Sequence, residues 1–227
     1  YFHSLKKNCV TGYTYASIVG GQTANTEFEL LTGNTLGFLS AGTTAFQLYI
    51  HGQMPSLVSN LKAEGYSGNK AMHPFNPYNY NRPAVYKDFG FTDFIDKFDF
   101  PKNVKRVREY ISDEANVDRI ISEYEKNRKK TDQPFYMYNM TIQNHSPYDK
   151  DAANFKQPIK IESSKYDAEA NRYLNLIKYS DDSLKQLTSY FEKCKEPTII
   201  LFLGDHQPRL TDEFMNKITN GQYQTWS

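Results

Sequence analysis

The sequence is poor in cysteine, in net charge and in long apolar runs. Its two cysteines, Cys9 and Cys194, do not form a disulfide framework, and a net charge of +1 gives neither a basic face for nucleic acid nor a polybasic run for a membrane surface. No stretch approaches the ~18 apolar residues that a transmembrane helix needs. There is no signal peptide and no initiating methionine. We therefore expect a globular piece of a longer chain that binds no nucleic acid.

Aromatic side chains are abundant, and the chain is long enough to bury a sizeable core. It has 227 residues, which suits a single domain over residues 1–227, and it includes 18 tyrosines and 15 phenylalanines. Tyrosine has flat apolar faces and a polar tip, which suit a groove that binds sugar or glycerol. Core packing explains the same residues equally well, so the aromatic content alone indicates no function.

Four segments have the composition of β-strands. Residues 135–142 and 198–203 are continuous apolar runs, which are typical of parallel strands covered on both faces. Residues 66–72 and 10–19 are weaker candidates. We predict strands at all four places.

Helical periodicity lies between these runs. Apolar residues recur at helical spacing in 55–65, 112–130 and 168–193. Residues 76–83, NPYNYNRP, are rich in turn formers and are predicted to form a loop. The alternation of strands and helices predicts an α/β fold with a central, mostly parallel sheet.

Polar side chains follow the predicted strands. In an open parallel sheet, ligands bind beyond the carboxyl ends of the strands. The residues at those positions are Thr23, His73, His145, and the adjacent pair Asp205 and His206. A single histidine in such a place is commonly structural, but three at one edge, with a carboxylate and a hydroxyl, favour a functional site.

Thr23 lies where two glycines lead into a predicted helix, in the stretch GGQTANTEFELLTGN. Its hydroxyl has two interpretations. It can cap the helix by accepting a backbone N–H. It can also be a nucleophile aimed at a phosphate, because a helix start offers free N–H groups and a positive dipole end. Both interpretations stay open at this point.

Asp205 and His206 offer a hard oxygen and an imidazole nitrogen side by side, in LFLGDHQP. Mixed ligands of this kind suit a divalent metal such as Mn²⁺ or Zn²⁺. A metal would activate a threonine hydroxyl and polarise a phosphoryl oxygen, and Arg82 has the planar fork that binds phosphate oxygens. These residue types indicate phosphoryl transfer. The alternative is that Gly-Asp-His only makes the turn that ends a strand.

Taken in order, several segments resemble the extracellular catalytic domain of the lipoteichoic acid synthase family. This family comprises polyglycerol-phosphate transferases of the alkaline phosphatase/sulfatase superfamily. The matching stretches are GGQTANTEFELLTGN, SLVSNLKAEGY, HPFNPYNYNRPAVYKDFGF, MTIQNHSPYD and LFLGDHQP. The resemblance implies a superfamily α/β/α fold, a central sheet flanked by helices, here truncated at both ends.

The resemblance also implies roles for individual residues. The family's nucleophilic threonine falls on Thr23, which is also a metal ligand. The remaining positions are Asp205 and His206 for the metal, and His73, Tyr80, Asn81, Arg82 and His145 for the substrate.

The implied reaction begins with attack of Thr23 on the phosphorus of a phosphatidylglycerol headgroup, which releases diacylglycerol. A hydroxyl of a growing glycerophosphate polymer or a glycan then displaces the threonine. The implied cofactor is Mn²⁺, with Mg²⁺ and Zn²⁺ as alternatives. The resemblance places the domain on the extracellular face of a Gram-positive-type cell membrane, as a monomer, with membrane contact only through a parent transmembrane region outside this chain.

Two departures from the family pattern affect these expectations. The family has a metal-ligating glutamate before this point of the fold, whereas residues 1–19 contain no aspartate or glutamate. We therefore expect weak metal binding by this piece. The aromatic residue before Asn81 is Tyr80, where relatives often have tryptophan.

Other members of the superfamily remain as alternatives. Sulfatases need a Cys/Ser-x-Pro-x-Arg motif, and the residues from Thr23 to Thr26 lack both its proline and its arginine, which argues against sulfate ester hydrolysis. A transferase or phosphodiesterase for another phospho-substituent is one alternative. A non-catalytic member that binds wall polymer is the other.

Overall fold

Helices and strands alternate along the chain in the computed structural model, which describes residues 1–162 and 167–218. The strands are β1 (Ser67–Met72), β2 (Asp93–Ile95), β3 (Arg106–Val107), β4 (Tyr110–Ile111) and β5 (Phe135–Asn139). The helices are α1 (Thr23–Thr32), α2 (Ala45–Leu48), α3 (Leu57–Ala63), α4 (Arg82–Phe89), α5 (Asp113–Arg128), α6 (Ala168–Phe191) and α7 (Asp212–Ile218).

The central sheet is parallel and has the order β2-β1-β5. Ala71 of β1 lies opposite Phe94 of β2 on one side and opposite Tyr138 of β5 on the other. Strands β3 and β4 form a separate antiparallel hairpin. The predicted α/β class with a parallel sheet is therefore confirmed.

Helices cover both faces of this sheet. Neighbouring residues of β1 point in opposite directions, so each helical layer packs against alternate residues of the strand. Ala71 packs in a core cluster with residues of α1 to α4, among them Phe28 and Phe89. Met72 packs on the other face, with Ile95 and with Ala115 of α5. Helix α6 lies outside α5 and contacts it. The layers are helix, sheet and helix, as the resemblance implies.

Two of the four predicted strands are wrong. Residues 10–19 and 198–203 form no strand, and the side chains of Val10 and Ile199 are fully or almost fully exposed. Apolar composition favours an extended backbone, but a strand also needs a neighbouring backbone with which to form hydrogen bonds. In the described part of the chain, only Val19, at the end of the first segment, has such a neighbour, through a parallel bridge to Gln207.

The predicted helices are present, and the predicted loop is partly helical. The patterns in 55–65, 112–130 and 168–193 correspond to α3, α5 and α6. Within 76–83, however, Arg82 begins α4, and Pro83 occupies its first turn, where a missing N–H costs nothing. In the part of the chain that the structure describes, no helix combines the length and apolarity needed to cross a membrane.

Gly68 gives a test of the sheet geometry. Its φ is +80°, and the register of β1 against β5 is irregular between Gly68 and Lys70. A Cβ at this position would lie 2.6 Å from a ring carbon of Phe135 and 2.9 Å from the backbone oxygen of Tyr136. We expect Gly68→Ala to lower the free energy of unfolding by about 2–4 kcal/mol, since it adds backbone strain to overpacking. Urea denaturation measures this loss.

The matched control is Gly12→Ala. A Cβ at Gly12 meets nothing within 4 Å, and its φ is not positive. Its urea midpoint should stay within experimental error of the parent. Equal midpoints for the two variants would contradict the described register of β1 and β5.

Candidate active site

Thr23 is the first residue of α1, and its hydroxyl does not cap the helix. The N-cap is Gln22, with a left-handed φ of 60° and no side-chain capping bond. The Thr23 Oγ1 donates to Asp205 Oδ2 at 2.8 Å. The expected proximity of Thr23 and Asp205 is therefore present, and the capping alternative is not adopted.

A second threonine of α1, which the sequence reasoning missed, fixes the same turn. Thr26 Oγ1 donates to the backbone oxygen of Asp205 at 2.6 Å. Residues three apart share one face of a helix, so Thr23 and Thr26 point toward Asp205 together. The Thr-x-x-Thr spacing was the available signal. These two bonds hold the side chain and the backbone of Asp205 against the start of α1.

His206 completes the first half of the site. Its Nδ1 lies 2.8 Å from the Gln207 backbone oxygen, which only accepts hydrogen bonds, so Nδ1 carries the proton. Its Nε2 lies 3.2 Å from Asp205 Oδ2, and both side chains are partly open to solvent.

This donor set fits part of a metal site. Thr23 Oγ1, Asp205 Oδ2 and His206 Nε2 are one hydroxyl, one carboxylate and one imidazole, a mixture that Mn²⁺ and Zn²⁺ accept. Among residues 1–162 and 167–218, no group of three or more His, Cys, Asp or Glu side chains is placed to hold a metal ion. The set is one strong ligand short of a tetrahedral site.

The second half of the site contains His73 and His145. His73 follows β1 and is buried, whereas the His145 side chain is exposed. The ring of Phe75 connects them, with its centroid 6.0 Å from that of His73 and 6.2 Å from that of His145. Sequence reasoning missed Phe75, since its aromatic ring resembles many others in this chain.

His73 is a neutral hydrogen-bond acceptor. Burial, together with the nearby charge of Arg82, lowers the pKa of His73 from its ordinary value to about 4. Its Nδ1 donates to the Met140 backbone oxygen at 3.0 Å. The free Nε2 therefore has a lone pair and no proton, and it suits a hydroxyl donor better than a phosphate oxygen.

Arg82 lies in a buried ion pair with Glu27. The side chain of Glu27 is 0% exposed and that of Arg82 is 2% exposed, and Arg82 Nη2 lies 2.5 Å from Glu27 Oε1. Arg82 Nε donates to the same oxygen at 3.1 Å, and the Tyr86 hydroxyl donates to Glu27 Oε2. Burial acts against the charge of Arg82, but Glu27 outweighs it and the net effect raises the pKa of Arg82.

The ion pair connects the two halves of the site. Glu27 lies four residues after Thr23, about one turn along α1. The Tyr80 ring lies under the Arg82 guanidinium at 5.1 Å, and Asn81 is exposed beside it. With its guanidinium occupied by Glu27, Arg82 contributes to the site through position and field. Direct contacts of Tyr80, Asn81, Arg82, His73 and His145 with substrate stay predictions.

The ion pair is tested by removing one partner. We expect Glu27→Ala to lower the free energy of unfolding by about 3–5 kcal/mol, because it leaves the Arg82 charge buried without a counter-ion. The control is Glu213→Ala, which removes an exposed i,i+4 pair with Lys217 and should cost about 0.5 kcal/mol or less. Urea unfolding of both variants measures the difference. Similar losses in the two would show that the pair is not buried in solution.

The protonation of His73 is tested by pH. Its folded-state pKa is below its unfolded value of 6.5, so the unfolded chain binds the proton first. The stability due to neutral His73 is complete above about pH 6.5, and about 3 kcal/mol of it is lost as the pH falls to about 4. His73→Gln should remove this pH dependence.

The measurement is the difference in unfolding free energy between the parent and His73→Gln at several pH values. The difference is needed because burial raises the pKa of Asp113 to about 6, and protonation of that carboxyl stabilises the folded state as the pH falls. Parallel pH profiles for the parent and the variant would contradict a neutral, buried His73.

Comparisons with known proteins agree with this architecture. The sulfatase family model matches residues 2–226. A protein of Rhizobium meliloti (strain 1021) named for cyclic beta-1,2-glucan modification is 37% identical over 202 residues, which are 88% of this chain and 30% of that protein. The lipoteichoic acid synthase of Staphylococcus aureus (strain USA300) is 28% identical over 196 residues, which are 82% of this chain and 28% of the synthase.

Two solved structures share the fold. The phosphoglycerol transferase GacH of Streptococcus pyogenes, in complex with sn-glycerol-1-phosphate, has a TM-score of 0.70 at 23% identity, over 92% of this chain and 55% of its own. The lipoteichoic acid synthase LtaP of Listeria monocytogenes has a TM-score of 0.66 at 24% identity, over 78% of this chain and 42% of its own. The chain spans about 30% of the length of the curated relatives above. It belongs to the sulfatase family and is similar to the lipoteichoic acid synthases.

Proposed function

We propose that this chain is the catalytic part of a metal-dependent phosphoglycerol transferase with Thr23 as its nucleophile. The observation that carries the proposal is the hydrogen bond from Thr23 Oγ1 to Asp205 Oδ2 at the start of α1. A structural threonine at a helix start would cap the helix, whereas this hydroxyl points at a carboxylate beside an imidazole. The names of the similar proteins, a phosphoglycerol transferase and lipoteichoic acid synthases, favour the same reaction class.

The chain's own residues provide the parts of a covalent transfer. Thr23 Oγ1 forms a bond to phosphorus while the bond from phosphorus to the departing diacylglycerol oxygen breaks. Asp205 Oδ2 accepts the Thr23 hydrogen bond and is placed to hold the proton that the hydroxyl loses. The free N–H groups at the start of α1 favour the negative charge of the phosphate. A divalent metal held by Thr23, Asp205 and His206 supplies Lewis acidity when bound.

The substrate that we propose carries a hydroxyl beside its phosphate. The unprotonated Nε2 of His73 is an acceptor for a glycerol hydroxyl. Phe75 lies between the exposed ring of His145 and His73, and the ring of Tyr80 lies under the Arg82 guanidinium. Phosphatidylglycerol has this combination of a phosphodiester and a hydroxylated headgroup. GacH, of the same fold, binds sn-glycerol-1-phosphate.

The acceptor that we propose is a glycerophosphate polymer or a glycan. The relative that is 37% identical is named for modification of a cyclic glucan, which favours the glycan. The chain spans about 30% of that relative, so this acceptor is proposed for the whole protein of which the chain is a part. We propose a monomeric catalytic domain on the extracellular face, connected to the membrane through a part of the protein outside this chain, with Mn²⁺, Mg²⁺ or Zn²⁺ as its metal.

The proposal is tested with variants of Thr23 in the whole protein. Thr23→Ala should abolish release of diacylglycerol from phosphatidylglycerol in the presence of Mn²⁺. Thr23→Ser should keep part of the activity, since a serine hydroxyl occupies the same position. Both should fold, because the alanine variant loses one partly buried hydrogen bond, which is worth about 1 kcal/mol. Lipid chromatography measures turnover, and a thermal melt checks folding.

Thr32→Ala is the matched control, since Thr32 lies at the other end of α1 and its hydroxyl bonds within the helix to Phe28 O. It should turn over phosphatidylglycerol at the parental rate. A folded Thr23→Ala variant with parental turnover would overturn the nucleophile. Release from phosphatidylethanolamine in place of phosphatidylglycerol would favour another phospho-substituent, and polymer binding without any release would favour the non-catalytic alternative.

A further inference from the structure

Arg108 lies at the tip of the hairpin formed by β3 and β4. Its φ is 56°, a left-handed conformation that is uncommon for arginine, and its side chain is buried. Asn154 holds this backbone from both sides. The Arg108 N–H donates to Asn154 Oδ1 at 3.1 Å, and Asn154 Nδ2 donates to the Arg108 backbone oxygen at 2.9 Å. The tip is therefore fixed in an orientation that sends the guanidinium inward.

The guanidinium binds three carbonyl groups of one loop. We call residues 143–147 the His145 loop. Arg108 Nη2 donates to the backbone oxygens of Gln143 at 2.8 Å and of His145 at 2.7 Å, and Nη1 donates to that of Pro147 at 2.7 Å. The cation is therefore surrounded by the oxygen of His145 and by the oxygens of the residues two positions before and two positions after it.

Side chains bind the other two carbonyl groups of the same loop. The Tyr148 hydroxyl donates to the Asn144 oxygen at 2.9 Å, and the Tyr110 hydroxyl donates to the Ser146 oxygen at 3.3 Å. The rings of Tyr110 and Tyr148 also lie 5.2 Å and 5.8 Å from the Arg108 guanidinium carbon. All five backbone oxygens of the His145 loop are thus bound by side chains, and Arg108 provides three of these interactions.

His145 is exposed, although its ring stacks on that of Phe75 at 6.2 Å and lies 5.9 Å from that of Tyr110. Its ring Nδ1 bonds to the backbone oxygen of the next residue at 2.6 Å. The direction of the ring therefore depends on the backbone of the loop as well as on these two rings. An exposed side chain on a loop is well placed for binding only if that backbone is rigid.

We propose that Arg108 is a positioning residue that holds the His145 loop and thereby aims His145 into the site. This inference rests on the proposed function for the role of His145 as a ligand of the substrate phosphate. Arg108 does not touch substrate and acts through the three carbonyl groups. Arginine suits this task and lysine does not, because a planar fork with fixed donors binds several acceptors at set angles, whereas an ammonium is a single point charge.

The first experiment measures the loop without relying on activity. Amide hydrogen exchange of residues 143–148 is compared in the parent, in Arg108→Lys and in Arg106→Lys. Arg106 is the matched control, since it lies on the same hairpin and its side chain donates to the backbone oxygen of Glu109, outside the His145 loop. We expect at least tenfold faster exchange in the loop for Arg108→Lys, with β5 unchanged, and parental exchange for Arg106→Lys. Equal exchange in all three proteins would overturn the proposal.

The second experiment measures binding of sn-glycerol 1-phosphate by calorimetry to the whole protein with Mn²⁺. Arg108→Lys should weaken binding at least fivefold in the parental background. In the His145→Ala background the same substitution should change the dissociation constant less than twofold, because the residue through which Arg108 acts is gone. A fivefold loss in both backgrounds would show that Arg108 acts elsewhere and would overturn the proposal.

The two experiments separate this inference from the proposed function. If the parental protein does not bind sn-glycerol 1-phosphate, the proposed function is wrong about its substrate, and hydrogen exchange alone decides whether Arg108 holds the loop. If Arg108→Lys fails to fold, the milder Asn154→Ala, which releases the tip of the hairpin and leaves the guanidinium intact, should accelerate exchange in residues 143–148. Parental exchange in Asn154→Ala would then overturn the proposal.

Discussion

Glu27 and Arg82 form an ion pair inside the helical layer, where neither charge reaches water. Removing two charges from water costs several kcal/mol, and the cost is offset only where the remaining donors and acceptors are bound as well. Here the Tyr86 hydroxyl binds the second oxygen of Glu27. The pair joins α1, which begins with Thr23, to α4, which follows Tyr80 and Asn81. Together with the apolar core that α1 and α4 share, this pair sets the distance between the candidate nucleophile and the segment expected to bind substrate.

The same ion pair affects the protonation of one half of the site. Arg82 lies near His73, and with burial it lowers the pKa of that histidine so far that the ring is neutral at physiological pH. Asp205 and His206 are more exposed, and His206 Nε2 lies 3.2 Å from Asp205 Oδ2. One half of the site is thus a neutral acceptor in a buried environment, and the other half is a partly exposed carboxylate beside an imidazole.

The sequence predicted the parts of the fold whose signals are local. Helices α3 and α5 begin at serines that cap them, and β1 and β5 lie within two of the predicted strand segments. It also predicted that Thr23 would lie near Asp205, but for a reason that is wrong, since the strands expected before these two residues do not form. The two segments meet instead at the parallel bridge between Val19 and Gln207. Residues 198–203 failed as a strand since apolarity does not supply a partner. The pairing of Arg82 with Glu27 was not predictable, because the two lie 55 positions apart and a basic residue beside a tyrosine looks like a substrate contact. No local signal marks Arg108 either, since its role depends on carbonyl groups 35 to 39 residues later.

The five backbone oxygens of residues 143–147 are bound by three side chains, Arg108 and Tyr110 of the hairpin and Tyr148 directly after the loop. This limits how the segment can change in length, because an inserted or deleted residue would move some of these oxygens away from their donors. Three polar side chains of α6 bind the backbone of residues 156–161 in the same way. Length variation between homologues should therefore fall between Tyr148 and Asn154 and leave both segments at constant spacing, even where their side chains differ.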